Sequence, residues 1–228
     1  MLIRISQYTS FATILFLFTF FSCGQKTAET QSAAVEQEEK SPAPVAKKTI
    51  LFFGNSLTAG WGLEPEEGFT GIIQHRIDSL GLPYQVINGG LSGETTASGL
   101  NRLDWFLEDE PYIFVLELGG NDGLRGIDVA ETKKNLQQII KLVREKYPQT
   151  KILLAGMQIP PNMGKAYSDD FRAIYPDIVK DENVTLIPFL LEGVAGDPDL
   201  NLPDGIHPSK EGHRIVAETV WQYLEPLL

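Results

Sequence analysis

Short apolar runs alternate with segments of helical periodicity along most of this chain, and that alternation leaves few folds open. The runs are Thr49-Ile50-Leu51-Phe52-Phe53, Tyr84-Gln85-Val86-Ile87-Asn88, and residues 111–118, 151–156 and 183–187. The third is apolar nearly throughout, as expected of a strand covered on both faces. Between them, residues 68–80 carry Phe69, Ile72, Ile73, Ile77 and Leu80 at helical spacing, and residues 128–147 carry Leu136, Ile139, Ile140 and Val143 on one face. Further helices are expected over residues 167–180 and from Lys210 onward, and the glycine-rich loop after the second run leads into another that continues through Leu107. Five strands joined by helices predict an α/β chain with a parallel sheet and helices on both faces.

At 228 residues the chain can bury one substantial core, so a single domain over residues 48–228 is expected. A formal net charge of −11 argues against a nucleic-acid partner, because neutralising phosphates takes clustered Lys and Arg. The one cysteine, Cys23, allows neither an intramolecular disulfide nor a thiolate metal cage.

The N-terminal segment has its own logic. Arg4 precedes an apolar run from Phe11 to Phe21, which is short for a membrane span but suits the hydrophobic part of an export signal. The run ends at Ser22-Cys23-Gly24, and this resembles a bacterial lipoprotein signal, with Phe20 standing where leucine is usual. The resemblance implies that residues 1–22 are a signal peptide and that Cys23 becomes the lipid-modified N-terminus. The chain would then be an exported, membrane-anchored lipoprotein facing the periplasm or the cell surface. An ordinary signal peptide or an anchor helix is the alternative. Residues 24–47 are Gln-, Glu-, Thr-, Ser-, Ala- and Lys-rich with Pro42 and Pro44, so a disordered tether is expected over 23–47.

Chemistry-bearing residues gather at the ends of the predicted strands, where open α/β sheets bind ligands. The first run stops at Gly54-Asn55-Ser56-Leu57, which delivers a hydroxyl to the strand end and makes Ser56 a candidate nucleophile; an N-cap serine is the simpler alternative. Gly93, in the loop after the second strand, is a candidate oxyanion donor or a plain turn residue. The third strand runs into Gly119-Gly120-Asn121-Asp122, and an Asn121 carboxamide N–H suits a developing oxyanion. In Pro203-Asp204-Gly205-Ile206-His207-Pro208 a carboxylate precedes a histidine by three residues in a tight turn. Asp204 can there hold one ring nitrogen of His207 protonated while the other faces outward as a base. A metal cluster of Asp197, Asp199, Asp204 and His207 is the rival reading, but one histidine among flexible carboxylates makes a poor site. His75 is expected to be solvated and His213 structural. The loop over residues 157–164 is apolar for a loop, so Met157, Ile159, Pro160 and Met163 are expected to line a pocket, with simple packing as the alternative. Trp61 and Arg125 lie near the motifs in sequence and are placed with the pocket on that ground, with packing or a surface contact as the equal alternative.

Taken together and in this order, Gly54-Asn55-Ser56-Leu57, Gly93, Gly119-Gly120-Asn121-Asp122 and Asp204-Gly205-Ile206-His207 resemble the SGNH, or GDSL, hydrolase family from about Lys48 to the C-terminus. Residues 117–126 look most like the bacterial periplasmic thioesterase, lysophospholipase and arylesterase group. The resemblance implies a flavodoxin-like three-layer α/β/α sandwich and a serine esterase without metal or cofactor, acting on small-molecule or lipid esters. It makes Ser56 the nucleophile, His207 the general base, Asp204 its orienting partner, and Gly93, Asn121 and the Ser56 amide the oxyanion hole. Asn55 departs from the family, which usually has aspartate there. A carbohydrate acetyl esterase of the same fold and a catalytically silent binding lipoprotein are the alternatives. The GxSxG elbow of α/β-hydrolases is absent around Ser56. The motifs carry no information on oligomeric state.

Overall fold

The computed structural model describes residues 46–228. The expected signal peptide over residues 1–22, the lipid-bearing Cys23 and all but the last two residues of the expected tether lie outside the described residues.

Five strands form one parallel sheet: β1 (Lys48–Gly54), β2 (Tyr84–Gly90), β3 (Ile113–Glu117), β4 (Lys151–Ala155) and β5 (Thr185–Ile187). Their order is β2-β1-β3-β4-β5, that of a flavodoxin-like doubly wound sheet. The helices are α1 (Ser56–Ala59), α2 (Phe69–Ser79), α3 (Thr96–Arg102), α4 (Gly120–Leu124), α5 (Val129–Lys146), α6 (Lys165–Glu182) and α7 (Lys210–Leu224).

Neighbouring side chains of a strand point to opposite faces, and β1 shows which helices lie on each. Phe52 meets Phe69 of α2 edge to face at 5.6 Å, and α2 packs beside α7. Phe53 stacks on Phe114 of β3 at 5.7 Å and lies under Gly99 of α3, which with α6 flanks α5. The core fills both interfaces, with Ile139, Ile140 and Val143 of α5 and Val220 and Leu224 of α7 fully buried.

Three segments depart from the expectation. The helix expected to run through Leu107 ends at Arg102, whose side chain turns inward to the strand ends, and gives way to a 3₁₀ turn over Leu103–Phe106. Two helices were not among those expected, α1 and α4, of four and five residues, although the N-cap alternative at Ser56 allowed for the first. Both begin directly after a strand of the sheet's centre and carry Ser56 and Asn121. Asn55 caps α1, its Oδ1 accepting from the Leu57 amide at 2.9 Å, so Ser56 is the first helical residue and not the cap.

Candidate active site

The C-terminal ends of β1 and β3, the loop after β2 and the last long loop meet around Ser56. The Asp204 carboxylate folds back on its own turn: Oδ1 accepts from the Ile206 and His207 amides at 2.9 and 3.0 Å, and Oδ2 lies 2.7 Å from His207 Nδ1. Gly205 permits the turn with φ of 68°. The turn is closed at its base, where the Leu202 amide donates to the His207 carbonyl at 2.7 Å. These donors, the His207 amide first and then its ring and the Ile206 amide, pull the Asp204 carboxyl down to about 2.

An ionised carboxylate only accepts, so His207 Nδ1 carries the proton shared with Asp204. In the neutral ring Nε2 is then an acceptor, and it sits 2.8 Å from Ser56 Oγ. His207 lies 151 positions from Ser56 and only three from Asp204, and together they form a continuous Asp–His–Ser hydrogen-bonded run, with Ser56 largely buried at its end. Trp61 is half exposed and lies against His207, with ring centroids 6.0 Å apart.

Asn121 shares a cavity with Ser56 and His207, and its carboxamide meets the loop that carries Gly93. Asn121 Nδ2 gives one hydrogen to the Glu94 carbonyl at 3.0 Å, which orients the carboxamide and leaves its second hydrogen unspent. Gly93 has φ of 80°, and its carbonyl accepts from Arg125 Nη2 at 2.9 Å, so the Gly93–Glu94 peptide is held from outside. Among the described residues the Ser56 and Gly93 amides donate to no protein acceptor.

Ser56, Asn121 and His207 open into a cavity of about 590 Å³. Met157, Ile159 and Pro160 line it as expected, together with Leu57, Leu124 and Phe189, which the sequence did not single out. Met163 is a correction: it is partly buried against the core and does not line the cavity, because the 3₁₀ turn over Pro161–Met163 carries it round to the base of α6. Trp61 and Arg125 also stand outside the lining, the first beside His207 and the second on Gly93.

Two buried charge clusters support the site and were not foreseen. Arg102 pairs with Glu94 and donates to the Gly89 and Gly54 carbonyls at 2.7 and 3.2 Å, lashing the Gly93 loop to the ends of β1 and β2. Its guanidinium lies 4.2 Å from the Phe53 ring centroid. Glu117, the last residue of β3, is 1% exposed and accepts from Asn55 and Thr58 on either side of Ser56. A lone acid inside an otherwise apolar buried strand was the available signal.

Comparison with known proteins identifies the family. Residues 52–215 match the pattern of the GDSL-like lipase/acylhydrolase family. Esterase TesA of Pseudomonas aeruginosa is 40% identical over 184 residues, spanning 80% of this chain and 90% of that protein. Thioesterase 1/protease 1/lysophospholipase L1 of Escherichia coli strain K12 is 35% identical over 184 residues, spanning 80% of this chain and 86% of that protein. A crystal structure of TesA, 40% identical, matches with a TM-score of 0.76 over 79% of this chain and all of that one. A chain with these blocks on this sheet belongs to the GDSL-like lipase/acylhydrolase family.

Proposed function

We propose that this ester hydrolase cleaves carboxylic ester or thioester bonds through an acyl-enzyme, and that the Asp204–His207–Ser56 run carries both steps. The 2.8 Å contact between Ser56 Oγ and His207 Nε2 is the observation that supports this most directly. Ser56 Oγ attacks the carbonyl carbon while its proton passes to Nε2, and Asp204 stabilises the imidazolium that forms. The negative oxygen rests on the Ser56 and Gly93 amides and the unspent Asn121 hydrogen. Collapse breaks the C–O or C–S bond, and the leaving group takes the proton from Nε2. Water then attacks the acyl-serine with the same base, the acid departs, and Ser56 recovers its proton.

The cavity beside Ser56 is walled by Leu57, Leu124, Met157, Ile159 and Phe189. Such walls suit an acyl chain longer than acetyl, and favour that substrate over an acetylated sugar, which would need polar partners for its hydroxyls. The words thioesterase and lysophospholipase in the name of the Escherichia coli relative point the same way. Hydrolysis of p-nitrophenyl esters from acetate to long acyl chains tests both parts. Turnover should rise beyond acetate and fall at least about 10⁴-fold in Ser56→Ala. Undiminished hydrolysis by Ser56→Ala would refute the nucleophile, and activity confined to acetate would refute the acyl slot.

The chain is also proposed to work outside the cytoplasm, tethered through lipid on Cys23, so that its esters are those met in the periplasm or at the cell surface. The apolar run ending at Ser22-Cys23-Gly24 supports this reading. Cell fractionation of the full chain should find it with membranes, and Cys23→Ser should release it. Equal membrane retention of the two forms would count against the anchor.

A further inference from the structure

The Glu117 carboxylate ties down both flanks of Ser56. Oε2 accepts from the Asn55 and Thr58 amides at 3.1 and 3.3 Å and from the Thr58 hydroxyl at 2.9 Å, while Oε1 accepts from Asn55 Nδ2 at 2.7 Å. The Asn55 carboxamide is used at both ends, since its Oδ1 also caps α1 at the Leu57 amide. A carboxamide can give a hydrogen to a carboxylate and accept one from a backbone amide without titrating, which a carboxyl in its place could not.

We propose that Glu117 is a positioning residue for Ser56, and that Asn55 supplies a donor to it that no rise in pH can remove. This rests on Ser56 being the nucleophile. The residues flanking Ser56 hang from one carboxylate, so its seating sets the aim of Ser56 Oγ at His207 Nε2. An aspartate at position 55 would set two carboxylates against each other. They would share one proton and titrate as a unit, and loss of that proton at high pH would push them apart.

Other charged or titratable groups reach this place from every side, and none supplies an alternative donor to Glu117. Tyr175 of α6 donates its hydroxyl to the Leu118 carbonyl at 3.0 Å. Asp122 of α4 accepts from the Thr96 amide and hydroxyl. Arg102 is spent on Glu94 and on the Gly54 and Gly89 carbonyls. His207 lies across Ser56, directed to Asp204. Burial pushes the Glu117 carboxyl up to about 7, against the pull of its four donors.

The test compares Glu117→Gln, Asn55→Asp and the exchanged pair N55D/E117Q in the full chain, with Ser56→Ala alongside, on p-nitrophenyl esters across pH. Glu117→Gln sets a donor against the Asn55 amide and should lower kcat by about 10- to 100-fold with KM little changed. Asn55→Asp should give kcat/KM an alkaline limb that the wild type lacks. In N55D/E117Q the amide donates from the other side, so activity should recover at least about tenfold over Glu117→Gln and the alkaline limb should vanish. A merely structural pair would give losses that multiply, and that result would overturn the proposal. So would an Asn55→Asp profile that superimposes on the wild type, which decides the matter alone if Glu117→Gln does not fold. Failure of the underlying reading shows separately, as undiminished turnover by Ser56→Ala.

Discussion

At the scale of single residues, Gly54 decides whether Glu117 can reach the Ser56 turn at all. A Cβ built there would lie 2.2 Å from Thr58 Oγ1, 2.6 Å from Glu117 Oε2 and 2.8 Å from the Glu117 carbonyl. None of the three has room to retreat, since Thr58 and the Glu117 carboxylate are buried and the carbonyl belongs to β3. Gly54→Ala should therefore cost roughly 1–3 kcal/mol in overpacking and lower kcat as the carboxylate is displaced. Urea unfolding and ester hydrolysis measure the two effects, and wild-type values for both would show that the contact is not as close as described. Individual residues also mark the limit of what the chain discloses on inspection. Asp204 and His207 were legible because three positions and a tight turn bring them together. The Glu117 contacts to Asn55 span 62 positions, and the Arg102 contact to Gly54 spans 48. Such pairs exist only once the sheet has aligned β1 with β3 and β2.

Among the elements, those that repeat their apolar pattern over several turns were the ones to be anticipated. α5 buries Leu136, Ile139, Ile140 and Val143 at helical spacing and is capped by Asp128, whose Oδ1 accepts from the Ala130 amide at 2.7 Å. The sheet was legible for a related reason, since each strand is a short apolar run and the helices between them force parallel pairing. α1 and α4 were not, because four or five residues cannot display a period. They are set instead by local hydrogen bonding at strand ends, Asn55 capping one and the Gly119 carbonyl accepting from the Gly123 amide in the other. That difference has a functional side. The long helices and the strands make the scaffold, while the two single-turn helices carry Ser56 and Asn121, so the chemistry sits on the elements with least intrinsic periodicity. Their fixity comes from Glu117 below one and, at the other, from the Asp122 carboxylate, which accepts from the Thr96 amide at 2.9 Å.

For the whole molecule, the buried titratable groups set how stability changes with pH, and they do not all act in one direction. His213 is almost wholly buried on α7; its Nδ1 accepts from the Phe69 amide at 3.1 Å, and its ring stacks on Phe69. Burial, with a smaller repulsion from His207, pushes it from an ordinary 6.5 down to about 4. The unfolded chain therefore takes up this proton first, so the contribution of His213 is complete above about 6.5 and is lost as pH falls toward 4, on the order of 3 kcal/mol in all. Asp204, held down to about 2, adds a further loss only below its ordinary 3.8. Glu117 runs the other way: raised to about 7 by burial, it favours the folded state most below its ordinary 4.5, and that contribution disappears as pH rises through 7. The Glu117 and His213 slopes overlap between about 4.5 and 6.5 and partly cancel, so the wild-type curve alone cannot separate them. His213→Asn does so, because an Asn Oδ1 can accept from the Phe69 amide without titrating. Subtracting the variant's unfolding free energy from that of the wild type at each pH should leave a difference that is flat above about 6.5 and falls steadily toward pH 4. A difference that stays flat through this window would mean that His213 is protonated as easily in the folded chain as in the unfolded one.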